Sequence, residues 1–175
     1  SVLSSSHARV RLVGFVLAST LGACVGPNAT PQTCVDVASR RGDCDAGSAE
    51  GCFLLGYRFE GGIEAAQDLT RAERLYKRSC GAGFQAGCLG WMRLLSTSKD
   101  NGRLAIARQL GQAACVEGYG EGCLRAGLLG EAKGGALIAQ GVAMLRRTCA
   151  ELSDDSSCTI LANLAFSGAL GAADL

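Results

Sequence analysis

The chain has 175 residues, with 17 Lys and Arg against 16 Asp and Glu, one histidine and ten cysteines. This length supports one domain with a hydrophobic core, and the near-neutral charge with 5% aromatic residues argues against a nucleic-acid-binding surface. A composition rich in alanine, leucine and glycine, with only two prolines, favours an all-α fold.

The first 23 residues predict an export signal. Arg9 and Arg11 provide a basic start, and an apolar run of 12 residues follows at 12–23. This run is too short to span a bilayer comfortably and suits a secretory signal. Residues 21–24 resemble a bacterial lipobox, which implies cleavage before Cys24 and a lipid on its thiol that anchors the chain to a membrane. The alternative is an ordinary signal peptide followed by an incidental cysteine. Both interpretations predict an exported protein, in the cell envelope or secreted.

Export changes what the cysteines indicate. Outside the cytoplasm, ten cysteines favour a disulfide framework over a metal site. The closest cysteines are eight positions apart, whereas zinc knuckles place them two to four apart. His7 lies in the predicted signal, so the mature chain has no imidazole to bind a metal ion or activate a nucleophile. We therefore expect no metal and no cofactor.

Eight of the cysteines form four evenly spaced pairs. The first members recur after 36, 35 and 34 residues, and the second members after 36, 35 and 35. A period in the mid-thirties is typical of stacked helical hairpins. The pairs are Cys44/Cys52, Cys80/Cys88, Cys115/Cys123 and Cys149/Cys158.

Taken in chain order, residues 24–32 hold both prolines and form a predicted tether, and a first helix follows at 33–41. The first repeat predicts helices at 50–59 and 67–78 around a turn at Gly61 and Gly62. Later repeats follow the same plan, and the fourth ends after its first helix. We therefore predict one helical-repeat domain over 33–175, with about three full repeats and a partial fourth.

Each of the first three cysteine pairs encloses two glycines in the pattern C-x-x-G-x-x-x-G-C. The first glycine falls where a helix ends in a left-handed residue, and the second falls where a missing side chain allows two helices to approach closely. Cysteines eight apart in one helix would be separated by about 12 Å, but a turn between antiparallel helices brings them within bonding distance. We therefore predict a disulfide in each pair, worth roughly 2–3 kcal/mol. The glycines are Gly47, Gly83 and Gly118, then Gly51, Gly87 and Gly122.

Two further positions leave alternatives open. The fourth pair has Leu152 in place of the first glycine and one extra residue between its cysteines, so its disulfide is the least regular. Cys34 is unpaired or intermolecular if Cys24 carries lipid, whereas Cys24–Cys34 becomes a fifth bridge if it does not.

The first repeat resembles a known family. Leu55-Gly56-Tyr57, Gly61-Gly62-Ile63 and Leu75-Tyr76-Lys77 before Cys80 are similar to the Sel-one-like repeat, a relative of the tetratricopeptide hairpin. The cysteine spacing resembles the Hcp-type branch of secreted bacterial proteins. The resemblance covers about 44–166 and implies a right-handed α/α solenoid, each repeat holding one disulfide, that binds proteins or peptides on its concave face. It also implies an alternative, since some Hcp-type members bind or weakly hydrolyse β-lactams.

A candidate binding strip follows from the resemblance, because the first helices of tetratricopeptide-like repeats line the concave face. An aromatic and arginine strip there would hold a peptide or an acidic glycan. In the alternative interpretation the aromatic rings pack between helices and the arginines lie on a solvated face. The five residues are Tyr57, Arg58, Trp91, Arg93 and Arg125.

Two motifs that suggest chemistry have simpler explanations. Ser96 and Lys99 fit the S-x-x-K motif of serine β-lactamases, but they fall in a predicted turn without intact companion motifs. Residues 81–86 fit a loose dinucleotide fingerprint, but a helix rather than a strand precedes them. We predict no catalytic residue.

The last helix carries apolar residues on more than one face. Either the chain is truncated, or this edge associates with another copy or a partner. The residues are Ile160, Leu161, Leu164, Phe166 and Leu170.

Overall fold

A computed structural model describes residues 31–130 and 134–167, with side chains described from residue 38 onward. Within these ranges the chain forms eight helices and no strand, which confirms the all-α prediction. The predicted signal, residues 24–30 of the predicted tether, Leu170 and the side chain of Cys34 lie outside the described part, whereas the last two residues of the predicted tether, Pro31 and Gln32, belong to the first helix. The helices are α1 (Pro31–Asp45), α2 (Ala49–Gly61), α3 (Leu69–Gly81), α4 (Gln85–Ser96), α5 (Asn101–Val116), α6 (Gly120–Leu128), α7 (Gly134–Leu152) and α8 (Asp155–Ser167).

The helices pack in chain order, each against the next. The even-numbered helices also contact one another in succession, α2 on α4, α4 on α6 and α6 on α8. We call α2, α4, α6 and α8 the even layer and the remaining helices the odd layer. Each predicted hairpin therefore contributes one helix to each layer.

The four predicted disulfides are present, and each joins the end of an odd helix to the first turn of the following even helix. The bonds are Cys44–Cys52, Cys80–Cys88, Cys115–Cys123 and Cys149–Cys158.

The four disulfides are not equivalent in burial, although their even spacing in the sequence suggests four equal copies. Cys44 and Cys52 are each 1% exposed and belong to the core cluster of the first repeat. Cys80 and Cys88 are only half-buried, so the second disulfide lies nearer the surface. Spacing along the chain predicts which cysteines pair, whereas the depth of each bond depends on the helices that cover it.

The predicted left-handed glycines are also found in the first three cysteine turns, with φ of 96° at Gly47, 84° at Gly83 and 92° at Gly118. In the fourth turn Ser153 adopts φ 50° instead. A short polar side chain tolerates this region better than a branched or bulky one, so the fourth turn closes without glycine.

Helix boundaries differ from the prediction by a few residues. The helix predicted at 67–78 begins at Leu69, because the carboxylate of Asp68 accepts a hydrogen bond of 2.8 Å from the backbone N–H of Arg71. This contact satisfies one of the free N–H groups of the first turn, which fixes the start of α3. The first helix, predicted at 33–41, continues to Asp45 and so contains Cys44.

The second glycine of each of the first three cysteine turns lies against the preceding helix, as predicted. A Cβ atom built on Gly87 would lie 2.6 Å from Cβ of Ser79, and one on Gly122 would lie 2.6 Å from Cβ of Ala114. Gly51 has the same relation to Asp43, at 2.7 Å. These distances are shorter than side chains tolerate, so only glycine allows the two helices to approach this closely.

Tyr76 packs at the centre of the first repeat and is the largest fully buried side chain among the described residues. Its ring projects from α3 between two even helices, and Cβ atoms built on Gly56 of α2 or Gly90 of α4 would lie 2.9 Å from it. The equivalent positions of the second repeat reverse these sizes, with Gly111 in place of the tyrosine and the buried Met92 in place of Gly56. Large and small residues therefore alternate along the stack.

Candidate binding surface

Three residues of the predicted strip lie on successive helices of the even layer. Tyr57 on α2 is 49% exposed. Arg93 on α4 and Arg125 on α6 are brought together by a carboxylate that lies between them, Glu121 at the start of α6. The three side chains thus come from separate repeats of the even layer.

Four charged side chains form a chain of ion pairs across the even layer, which we call the charge network. Arg93 lies 3.2 Å from Glu60 of α2 and 4.0 Å from Glu121, and Glu121 lies 2.8 Å from Arg125. The side chain of Glu121 is only 8% exposed, so its charge depends on these partners. Each arginine is balanced by a carboxylate, and the network as a whole is neutral.

Tyr76 ends the charge network inside the protein, where its hydroxyl donates a hydrogen bond to Glu60. Burial, followed by the hydrogen bond to Glu60, raises the pKa of Tyr76 far above its usual value, so the proton stays on the phenol. Burial opposes the charge of Arg93, but Glu121 and Glu60 outweigh burial and raise the pKa of this guanidinium. Tyr76 therefore stays neutral and Arg93 stays charged at neutral pH.

The other two strip residues lie apart from the charge network. Arg58 pairs with Glu64 at 2.5 Å, in the turn that follows α2. Trp91 packs against the hydrophobic core, with the ammonium group of Lys77 lying 5.5 Å from its ring centroid. Its indole N–H is buried and has no partner in the described part of the chain. The structure therefore connects Arg93 and Arg125 but leaves Arg58 and Trp91 outside the group, and the use of any of them in binding stays a prediction.

The sequence did not predict two members of the charge network, Glu60 and Glu121, or the hydroxyl of Tyr76 that donates to Glu60. The pair of Glu121 and Arg125 could have been predicted from the sequence, because oppositely charged residues four positions apart lie on the same face of a helix. The pair of Glu60 and Arg93 could not, since these residues are 33 positions apart and meet only through helix packing.

A groove of about 810 Å³ opens beside the charge network, where the α5–α6 turn faces the α7–α8 turn. Its walls are apolar at Leu89, Leu145, Leu152 and Ile160, and Tyr119 borders it. Among the described residues that line it are three carboxylates and no basic residue. The carboxylates are Glu121, Asp154 and Asp155.

The S-x-x-K motif does not form the geometry that serine β-lactamases use. The hydroxyl of Ser96 donates a hydrogen bond of 2.7 Å to the carbonyl of Arg93. Because α4 ends at Ser96, Lys99 lies beyond the helix and not one helical turn along it. The interpretation of Ser96 and Lys99 as part of a turn is therefore supported.

Two further properties bear on the class of protein. Among residues 31–130 and 134–167, no group of three or more metal-binding side chains is found. None of the helices described has the length and apolar character needed to cross a bilayer.

The predicted association surface at the end of the domain is partly used inside the domain. Leu164 is buried, and Ile160 and Leu161 pack against the same cluster. Phe166 is 91% exposed.

No protein-family model matches the chain, and no curated protein matches it.

Proposed function

We propose that the chain is an exported helical-repeat scaffold that binds a protein or peptide at the bacterial cell envelope. The observation that carries the proposal is the unequal packing of the two layers. Successive even helices contact one another, whereas no comparable contact links successive odd helices in the described part of the chain. A stack whose layers differ in this way curves toward the closer layer, which supports a solenoid with the even layer on its concave side. The resemblance to Sel-one-like repeats adds the right-handed sense.

The compartment follows from the cysteines. Four disulfides in a domain of this size are typical of proteins that work under oxidising conditions, outside the cytoplasm. Together with the signal-like N-terminus, they support export. Lipid on Cys24 would then tether the domain to a membrane, as the lipobox resemblance implies.

The even layer suits a peptide better than an acidic glycan. Arg93 and Arg125 are balanced by Glu60 and Glu121, so neither arginine offers a free charge to an anionic sugar. What the surface offers instead is exposed ring and aliphatic area, with Tyr57 and Leu128 each 49% exposed. Aromatic and aliphatic contacts of this kind carry much of the binding energy in protein interfaces.

A photocrosslinking experiment in the producing cells tests the scaffold function. We place a photoreactive phenylalanine analogue at Tyr57 on the even layer and, in a matched control, at Ile106 on α5 of the odd layer, where the exposed fraction is 40%. We expect a discrete crosslinked partner from Tyr57 and none from Ile106. Identical products at both positions, or no product at Tyr57, would contradict the proposal.

Association through α8 is a second part of the proposal and rests on the exposed ring of Phe166. Sedimentation of the purified chain at micromolar concentration measures it directly. Phe166→Ser is expected to shift a concentration-dependent dimer to monomer, and a monomer in the unaltered protein removes this part of the proposal.

A further inference from the structure

In each cysteine pair, the residue four positions before the second cysteine immediately precedes an even helix. The size of its side chain differs from repeat to repeat. This residue is Ser48 before α2, Phe84 before α4, Tyr119 before α6 and Asp154 before α8. The ring of Phe84 packs on Phe53 of α2, at 5.6 Å between centroids. Between α6 and α8 no ring is present at this position, because Asp154 replaces it. The groove beside the α7–α8 turn therefore has a carboxylate where the preceding two repeats have an aromatic side chain.

The carboxylates of the groove divide into two kinds. Glu121 at its back is engaged by Arg125 at 2.8 Å and belongs to the charge network. Asp154 and Asp155 at the α7–α8 turn form no ion pair among the residues described. The carboxylate of Asp154 caps α8, since it accepts a hydrogen bond of 2.7 Å from the N–H of Ser157 and further hydrogen bonds from the hydroxyl of Ser157 and the N–H of Ser156. Two carboxylates without a basic partner in the described part of the chain thus lie beside an apolar wall.

The size of the groove fits a peptide segment. A volume of about 810 Å³ lies within the range of roughly 300–1,000 Å³ that ligand sites usually occupy. Leu145 and Ile160 belong to the same hydrophobic cluster, which gives the apolar wall a firm backing. An aliphatic side chain placed there would be desolvated beside the two aspartates.

We propose that this groove binds a basic peptide segment, with a lysine or arginine against Asp154 and Asp155 and an adjacent aliphatic side chain against Leu145 and Ile160. The proposal rests on the peptide-binding function above and names the class of its partner. Charge complementarity carries it, since Asp154 and Asp155 have no basic partner among the described residues and no described residue of the lining is basic. An acidic segment would meet like charges in the same place.

The test uses the full oxidised chain and three fluorescein-labelled hexapeptides, measured by fluorescence anisotropy. The first alternates lysine and leucine, the second has glutamate in place of lysine, and the third has serine in place of leucine. We expect the lysine–leucine peptide to bind at least tenfold more tightly than either of the others, and its affinity to fall as salt is raised.

A double variant locates the binding. Asp154→Asn with Asp155→Asn removes both charges, while asparagine still caps α8, so the fold is retained. We expect about a tenfold loss of affinity for the lysine–leucine peptide. The matched control is Asp100→Asn, because Asp100 caps α5 through a bond of 2.7 Å to the N–H of Arg103 and is not part of the groove lining. This control is expected to bind as the unaltered protein does.

Two results would overturn the proposal: equal binding of the glutamate–leucine peptide, or unchanged affinity in the Asp154 and Asp155 double variant. Crosslinking at Tyr57 separates this failure from failure of the scaffold function. If a partner is captured at Tyr57 but the groove does not bind the basic peptide, the scaffold function is supported and only the proposed role of the groove is contradicted.

Discussion

The hydroxyl oxygens of Thr148 and Ser157 lie 2.7 Å apart, at the place where each of the other cysteine turns brings a glycine against the preceding helix. The fourth turn has one more residue between its cysteines. The Cα atoms of Cys149 and Cys158 are 5.0 Å apart, compared with 4.4–4.5 Å in the other three disulfides. The longer turn thus gives the room that a serine side chain needs, and a hydroxyl pair replaces the close backbone approach.

Gly122→Ala is expected to destabilise the protein by about 1–3 kcal/mol, because overpacking forces well-packed helices apart. The new methyl group would lie 2.6 Å from Cβ of Ala114 and 2.8 Å from the carbonyl oxygen of Gly111. Urea unfolding of the oxidised protein, followed by circular dichroism, measures the loss.

The control for this substitution is Gly42→Ala in α1. No atom lies within 4 Å of a Cβ built on Gly42, and the residue is exposed within a helix. Alanine there is expected to stabilise the protein by about 0.5–1 kcal/mol, through helix propensity alone. If Gly122→Ala were equally well tolerated, close approach at the cysteine turns would not be what requires glycine.

Replacing Cys115 and Cys123 together by alanine is expected to lower the free energy of unfolding by about 2–3 kcal/mol, the entropy of one short closed loop. The same change at Cys149 and Cys158 should have a similar effect, since the loops differ by one residue. Urea unfolding of both variants tests the expectation. Thiol titration of the unfolded, unreduced protein provides the control, and reaction of any of the eight paired cysteines would count against the framework.

Glu121→Gln is expected to destabilise the protein by about 1–3 kcal/mol, because it leaves two arginines with weakened partners. The cost should be below the roughly 3–5 kcal/mol of a fully buried pair, since the side chains of Arg93 and Arg125 remain 28% and 29% exposed. Thermal and urea unfolding measure the loss. Glu151→Gln is the matched control, because its pair with Arg147 is exposed and no measurable change is expected there. Equal behaviour of the two variants would contradict a structural role for the charge network.

Tyr76→Phe is expected to destabilise the protein by about 1.5–3 kcal/mol at neutral pH, through loss of the hydrogen bond to Glu60. Because burial raises the pKa of Tyr76, its contribution is complete below the ordinary pKa of 10.0 and is lost as the pH rises above it. The unaltered protein should therefore lose stability above pH 10.0, approaching about 1.4 kcal/mol per pH unit from this group, while the variant lacks that part of the decline. Urea unfolding at a series of alkaline pH values compares them, and parallel curves for the two proteins would contradict the expected contribution.

The cysteine turns could be predicted from the sequence because their determinants are local. A left-handed residue such as Gly83 and a small residue such as Gly87 lie within the eight positions that separate Cys80 from Cys88. The same holds for helix periodicity, which is decided within a few turns. The all-α fold and the four pairings therefore followed without knowledge of distant contacts.

The surface could not be predicted to the same degree, because it depends on how distant repeats meet. The sequence left two positions open for Trp91, on a binding strip or packed between helices, and the structure places its ring against the core, because the neighbouring helices decide which side of α4 is covered. Glu60 and Arg93 form an ion pair although they are 33 positions apart, and no periodicity in the sequence predicts that contact. The groove lies where Asp154 takes the position that Phe84 and Tyr119 occupy in the preceding repeats. The sequence shows this replacement, but only the structure shows that it borders a groove.

Each disulfide joins a cysteine to the next one along the chain, from Cys44–Cys52 through to Cys149–Cys158. For a polypeptide that is threaded through a membrane from its N-terminus, this order matters. If Cys24 and Cys34 form the fifth bridge that the sequence allows, an oxidase that links the cysteines pair by pair as they emerge makes the native bond every time, before the following pair arrives. Maturation of this domain should then require a thiol oxidase but no isomerase to reshuffle misplaced bonds.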